Sequence, residues 1–155
     1  MRIVITGGGG FIGSNLAKHF MAEHEVLVVD SFRSNKTFSN GNLRSFGHFK
    51  NLLGFDGEIY CGDICDEKTM QKIRHFKPDI IFHEAAISDT TVSEQDELLK
   101  VNLNSFCDDG GATWFFSSYG GILELRRGIQ AASCVGPASP IFHSSCEGKL
   151  GIALE

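Results

Sequence analysis

Three glycines, Gly7, Gly10 and Gly13, stand at three-residue intervals in Thr6-Gly7-Gly8-Gly9-Gly10-Phe11-Ile12-Gly13-Ser14-Asn15, and Asp30 follows twenty residues after Gly10. Glycines so spaced act through the side chains they lack. Gly7 permits a tight turn, Gly10 lets the backbone approach a pyrophosphate, and Gly13 lets a helix pack on the preceding strand. The first turn of that helix then offers unpaired N–H groups and the positive end of its dipole to phosphate oxygens. A carboxylate at the Asp30 distance accepts hydrogen bonds from a ribose diol, as in NAD binding, whereas Arg33 and Lys36 just beyond suit the 2′-phosphate of NADP. A solvated loop is the other reading of these two cations.

Competing chemistries lack their residues. His83-Glu84 begins a His-Glu-x-x-His zinc motif, but Ile87 occupies the place of the second histidine. Five cysteines form no Cys-x-x-Cys pair, and an odd number cannot all pair within one chain, so no metal site is expected. A net charge of -5 and a pI of 5.6 argue against broad affinity for nucleic acid. No apolar run approaches the ~20 residues that span a bilayer. Met1 leads straight into Arg2-Ile3-Val4-Ile5, which leaves no room for a signal peptide, and the chain reads as cytoplasmic.

The glycine turn needs a strand before it and a helix after it. Residues 2 to 5 are β-branched and apolar, and Phe11, Ile12, Leu16 and Phe20 recur at helical spacing. Glu25 to Asp30 is a continuous aliphatic strand of the kind buried on both faces of a parallel sheet. Leu43, Phe46, Phe49, Lys50 and Leu53 are spaced for a short helix after a polar loop. Glu58 to Asp63 predicts a third strand, Asp66 caps a helix running to about Phe76, Pro78 ends it, and Asp79 to Ala86 is a fourth strand. Strands alternating with helices predict an α/β fold with a Rossmann-like, doubly wound parallel sheet and ligands at the carboxyl ends of the strands.

After Phe106 the texture changes: the last 49 residues hold eight of the eighteen glycines and three of the five cysteines. Trp114-Phe115-Phe116 is a candidate strand, Gly121 to Gln130 a candidate short helix, and Ala131 to Pro140 has loop composition. The sheet is therefore expected to be incomplete on its C-terminal side. Residues 1–106 read as a nucleotide-binding domain and 107–155 as a looser tail.

The glycine turn, Gly62-Asp63-Ile64 after the third strand and Phe82-His83-Glu84-Ala85-Ala86 together resemble the extended short-chain dehydrogenase/reductase family of nucleotide-sugar epimerases and dehydratases. Asp30-Ser31-Phe32-Arg33-Ser34-Asn35-Lys36, His48-Phe49-Lys50-Asn51-Leu52 and Phe82 through Thr91 are most similar to its ADP-heptose 6-epimerase branch. The resemblance covers residues 1–106. It implies that Phe11 and Ile12 follow the pyrophosphate turn, that Ser31 belongs to the ribose-binding stretch with Asp30, and that Asp63 and Ile64 flank the adenine. It also implies that Glu84, Ala85, Ala86, Ile87 and Ser88 run beside the ribose and nicotinamide, and that Asn102 serves from the next helix. Lys36 and Lys50 would hold a 2′-phosphate, favouring NADP over NAD. Each has a bland alternative: Asp63 capping a turn, Asn102 as a surface amide, Ser88 as a loop hydroxyl.

The chemistry so implied is transient oxidation of a nucleotide sugar, followed by reduction from the other face, in which a tyrosine removes a hydroxyl proton. Tyr-x-x-x-Lys places that phenol beside an ammonium that lowers its pKa. Here the pattern breaks. Of the two tyrosines, Tyr119 is followed at i+4 by Leu123, and Lys149 is preceded at i-4 by Ser145. Ser118 and Lys149 are the remaining catalytic candidates, and the chain is expected to be inactive alone. A nucleotide sugar is the expected partner, without nucleic acid or membrane, and a homo-oligomer is compatible with this reading. Another nucleotide-sugar epimerase or dehydratase, or a non-catalytic NAD(P)-binding module, is the alternative.

Overall fold

The computed structural model describes residues 1–102 and the backbone of 113–118, 121–125 and 134–135. Strand β1 (Arg2–Thr6) leads through the glycine turn into helix α1 (Phe11–Phe20) and strand β2 (Glu25–Asp30). A long connection containing a short 3-10 turn (Phe49–Leu52) reaches β3 (Glu58–Cys61), followed by α2 (Glu67–Phe76), β4 (Ile80–His83) and α3 (Gln95–Asn102). Strands β5 (Thr113–Ser118), β6 (Gly121–Leu125) and β7 (Cys134–Val135) complete one sheet in the order β3-β2-β1-β4-β5-β6-β7. Strands β1 to β5 are parallel, and β6 and β7 are antiparallel.

The unbroken aliphatic runs follow from burial on both faces. Ile3, Ile5, Val26 and Val28 pack with Ala17 and Leu52 on one side, while Val4, Leu27, Val29 and Ile81 pack with Met70 and Ile73 on the other. Each such side chain contributes about 1.5–3 kcal/mol through burial. Arg2 ties the amino ends of β1 and β4 together: its N–H donates to Asp79 Oδ2 at 2.7 Å, and its carbonyl accepts from Asp79 N at 2.8 Å.

Several expectations are corrected. Phe11 is 83% exposed and Ile12 50%, so of the helical stripe only Leu16 and Phe20 pack on the core, beside the buried Gly13, Ser14 and Ala17. Residues 43–53 form no α-helix, only the 3-10 turn at Phe49–Leu52 after a bridge at Leu43, because the segment spends its backbone groups elsewhere: Gly47 O accepts from Arg33 N at 2.7 Å and His48 N donates to Gly9 O at 2.8 Å. Asp66 stands at the N-cap of α2, but its carboxylate makes no cap bond; Asp63 Oδ1 takes the Cys65 N–H at 2.8 Å instead. Lys77, at φ 53°, closes α2 before Pro78. Trp114 to Phe116 lies within β5. Gly121–Leu125 is a strand rather than a helix, since Ile122 and Leu123 find partners on both the β5 and β7 sides.

Candidate functional site

The turn between β1 and α1 is shaped by contacts that only glycine tolerates. Gly7 has φ 66°, and a Cβ there would lie 2.6 Å from Ala85 N and from Glu84 C. A Cβ on Gly13 would lie 2.6 Å from Gly7 O and 2.8 Å from Gly8 Cα, so the helix rests directly on the turn. Gly10 differs: a Cβ there would meet only Gly7 O, at 3.1 Å, and otherwise point into open space. Gly10 also starts α1 without any side-chain cap, and no acidic residue stands in the first turn. An uncapped helix start beside an open glycine fits a phosphate group, since the first N–H groups and the helix dipole face it without competition.

Asp30 lies directly behind the turn and is 6% exposed. Its Oδ2 accepts from Gly9 N at 2.8 Å and its Oδ1 from Phe32 N at 2.6 Å. Burial pushes its carboxyl pKa up while the two amides pull it down. Each oxygen keeps a second lone pair for a hydroxyl donor. Ser31 beside it is exposed, and its carbonyl accepts from Cys61 Sγ at 3.9 Å. A second brace escapes sequence reading: Gly9 O accepts both His48 N and Asn51 Nδ2 at 2.8 Å, and Phe32 and Phe49 stack with centroids 3.8 Å apart. The His48 to Leu52 stretch carried the family resemblance but no local signal of its partner.

The third wall is the end of β4. Thr6 Oγ1 pairs with His83 Nδ1 at 2.9 Å and accepts from Ala85 N at 3.4 Å, while Thr6 O accepts from Glu84 N at 3.1 Å. Burial pushes the His83 pKa down to about 3, keeping the imidazole neutral. Burial raises the half-buried Glu84 carboxyl to about 7. Ala86 and Ser88 are exposed; Ile87 is buried. Asn102 holds this loop from α3, its Oδ1 accepting from Ile87 N at 2.7 Å and its Nδ2 donating to Ile87 O at 2.9 Å. It acts by positioning the loop.

Arg33, Lys36 and Lys50 are exposed on the connection after β2. Lys50 N donates to His48 Nδ1 at 3.0 Å. Asp63 is exposed at the end of β3, where it also caps the turn, and the Ile64 side chain is committed to the core. Ser118 ends β5, its backbone paired with Gly121, and Lys149 lies outside the described residues. The structure thus gathers the glycines, Asp30 and Glu84 to Ser88 around the strand ends, and leaves the two catalytic candidates without a described common site.

Beside these strand ends a hairpin bridged between Thr37 and Leu43 docks on the loop after β4. Phe38 joins Ile87 and Val92 in a small cluster. Asn42 Nδ2 donates to Asp89 Oδ2 at 2.6 Å, Ser39 N to Glu94 Oε1 at 2.7 Å, and Arg44 pairs with Glu97. Hydrogen bonds hold the pKa values of Asp89 and Glu94 down to about 2. The surface hollow lined by Ser93 to Glu97 includes none of the glycine-turn residues. Among the described residues there is no group of three or more His, Cys, Asp or Glu placed to hold a metal, and no helix long and apolar enough to cross a membrane.

The sequence model of the NAD dependent epimerase/dehydratase family matches residues 3–107. The dTDP-glucose 4,6-dehydratase of Escherichia coli is 33% identical over 108 residues, covering 66% of this chain and 28% of that protein. Among solved structures, the Helicobacter pylori ADP-L-glycero-D-manno-heptose-6-epimerase has a TM-score of 0.58 at 44% identity, covering 68% of this chain and 33% of that one. The Thermus thermophilus UDP-glucose 4-epimerase, solved in complex with NAD, has a TM-score of 0.51 at 29% identity over 68% of this chain and 31% of its own. The chain spans less than a third of the length of the curated relatives it matches.

Proposed function

Because the chain belongs to the NAD-dependent epimerase/dehydratase family, we propose that residues 1–106 form the cofactor-binding part of an NADP-dependent nucleotide-sugar epimerase that works by transient oxidation, on an ADP-heptose-type substrate. The observation that carries this reading is the turn itself: Gly7 and Gly13 are closed by backbone, while Gly10 opens onto an uncapped helix start. Gly7, Gly10, Gly13 and the backbone of Phe11 and Ile12 would hold the pyrophosphate, and Asp30 with Ser31 the adenosine ribose. Asp63 and Ile64 would flank the adenine, with Arg33, Lys36 and Lys50 on a 2′-phosphate. Glu84 to Ser88, fixed by Thr6 and Asn102, would line the ribose and nicotinamide. The bound nicotinamide supplies hydride transfer. The Glu84 carboxyl, its pKa raised to about 7, would exchange a proton with solvent near neutral pH.

The identity to the heptose epimerase and the three cations favour NADP and an ADP-heptose; the NAD-bound relative favours NAD. Calorimetric titration decides. Arg33→Ala with Lys36→Ala should weaken NADP but hardly NAD, since each lost charge-assisted contact is worth about 1.5–3 kcal/mol. Equal losses would reject the assignment. The missing Tyr-x-x-x-Lys favours a second reading, an NAD(P)-binding module without turnover, with 107–155 a divergent tail. NMR of the 155-residue chain with an ADP-heptose separates the two: loss of general acid–base catalysis alone costs about 10²–10⁴-fold. Turnover near that of a full-length relative would instead place Ser118 or Lys149 in an active site.

A further inference from the structure

Asn40-Gly41 is the sole asparagine–glycine pair among the seven asparagines of the chain. It forms the tip of the 37–43 hairpin, where Phe38 N donates to Asn42 O at 2.8 Å and Gly41 N to Phe38 O at 3.0 Å. Gly41 has φ 83°, and a Cβ there would meet nothing within 4 Å, so no neighbouring atoms crowd the glycine. Asn42 N donates to Asn40 Oδ1 at 2.9 Å. That bond folds the carboxamide back along the Gly41 peptide and polarises its carbonyl. The amide nitrogen points across the hairpin contact: Asn40 Nδ2 donates to Thr91 Oγ1 at 2.8 Å and lies 3.4 Å from Asp89 Oδ2.

We infer that Asn40 is a site of spontaneous deamidation, and that the product releases the hairpin from the loop after β4. The Gly41 nitrogen attacks Asn40 Cγ; the N–Cγ bond forms, the Cγ–Nδ2 bond breaks, and the peptide proton leaves with the amine as ammonia. Water then opens the cyclic imide at either carbonyl, adding hydroxyl to carbon and hydrogen to the ring nitrogen, to give aspartate or isoaspartate. Water is the one co-reactant, and no oxidation occurs. The Gly41 N–H must first leave Phe38 O, so the rate follows local opening of the hairpin. Once the amide is a carboxylate, a donor to Thr91 becomes an acceptor and a negative charge faces Asp89. Like charges at that separation repel.

The test incubates the purified 155-residue chain near neutral pH and maps peptides by mass spectrometry for replacement of NH2 by OH and for isoaspartate. Asn40 should be modified well ahead of Asn104-Ser105 and the other asparagines. Exchange of the Phe38 and Gly41 amide hydrogens should quicken at least about tenfold in Asn40→Asp, as for loss of one hydrogen bond to a charged group. Asn40→Ala, which adds no charge, should open the hairpin less, and Asn40→Asp with Asp89→Asn should slow exchange again by swapping donor and acceptor. Intact Asn40 after Asn104 has reacted would overturn the site. Wild-type exchange in Asn40→Asp, or equal opening in Asn40→Ala, would overturn its effect. Unchanged exchange in β1 and β2 confirms that the variants are folded, and no reading depends on nucleotide binding.

Discussion

The turn after β1 and the hairpin after β2 both lie at the carboxyl ends of parallel strands, yet they hold their shapes by opposite means. The turn is built from backbone pressed on backbone, with Asp30 and His83 buried behind it. The hairpin is held mainly by exposed side chains, Asn40, Asn42, Asp89 and Thr91, over one small apolar cluster. A steric constraint of the first kind has no substitute, whereas exposed polar contacts are individually weak and sensitive to charge and salt. The difference teaches where rigidity in this molecule is specified: at the glycine turn it is set by sterics, and beside it, by exposed polar contacts.

The sharpest break in that contrast is Gly13→Val. Its Cβ meets only backbone, so relief requires moving the helix, and a loss of about 3 kcal/mol or more is expected in a urea titration. Gly10→Ala should cost less than about 1 kcal/mol yet weaken the proposed dinucleotide binding at least tenfold, because its methyl group enters the open space in front of the helix. Equal destabilisation by the two would mean that the glycines share one structural task. Acid comes next. His83, with its folded pKa lowered, stays neutral while the unfolded chain binds a proton, so stability is lost as pH falls through about 6.5 towards 3. The loss is on the order of 3 kcal/mol by about pH 4. The lowered carboxyls of Asp89 and Glu94 keep their contribution until pH falls below their unfolded values towards about 2. Hydrogen exchange should therefore show β1 and β4 loosening before the hairpin bonds are lost, and the reverse order would contradict this account of His83.

Glu84 runs the other way. Its folded pKa is raised, so its stabilising effect is complete below about 4.5 and lost as pH rises through about 7. Glu84→Gln should leave the acid side unchanged and add about 1 kcal/mol above pH 7, the full shift discounted for its partial exposure. The smallest effect is expected from Asp89→Asn: several-fold faster exchange at Phe38 and Gly41 with an unmoved unfolding midpoint, since the hairpin opens locally. A shifted midpoint would make the hairpin part of the global fold.

These two regions were also unequally legible. Val26 to Val29 could be read as a doubly covered strand because both faces of a parallel sheet demand apolar side chains. The glycine spacing foretold which positions the backbone would crowd. The hairpin contact carries no such period: Asn40 and Asn42 find Asp89 and Thr91 roughly fifty residues away, and polar pairs at that separation leave no pattern in a local window. Phe11 and Ile12 misled for a related reason. Helical spacing gives a stripe, and Leu16 and Phe20 of that stripe do pack on the sheet, Phe20 stacking on Phe82 with centroids 5.1 Å apart; but the residues buried deepest are the small ones, Gly13, Ser14 and Ala17, because the turn brings the helix so close.

The position of β1 sets a timetable for synthesis. It is made first, yet it sits between β2 and β4 in the sheet, and its Arg2 waits for Asp79, 77 residues later. At about 5–20 residues per second, the ribosome delivers β4 roughly 4–16 s after β1. From the arrival of β2 until that of β4, Ile3, Val4 and Ile5 have a partner strand on one side alone, and the other edge of β1 is open to any extended segment nearby. The late arrival of Ile80 to His83 therefore closes that edge of β1 as well as completing the wall behind the glycine turn.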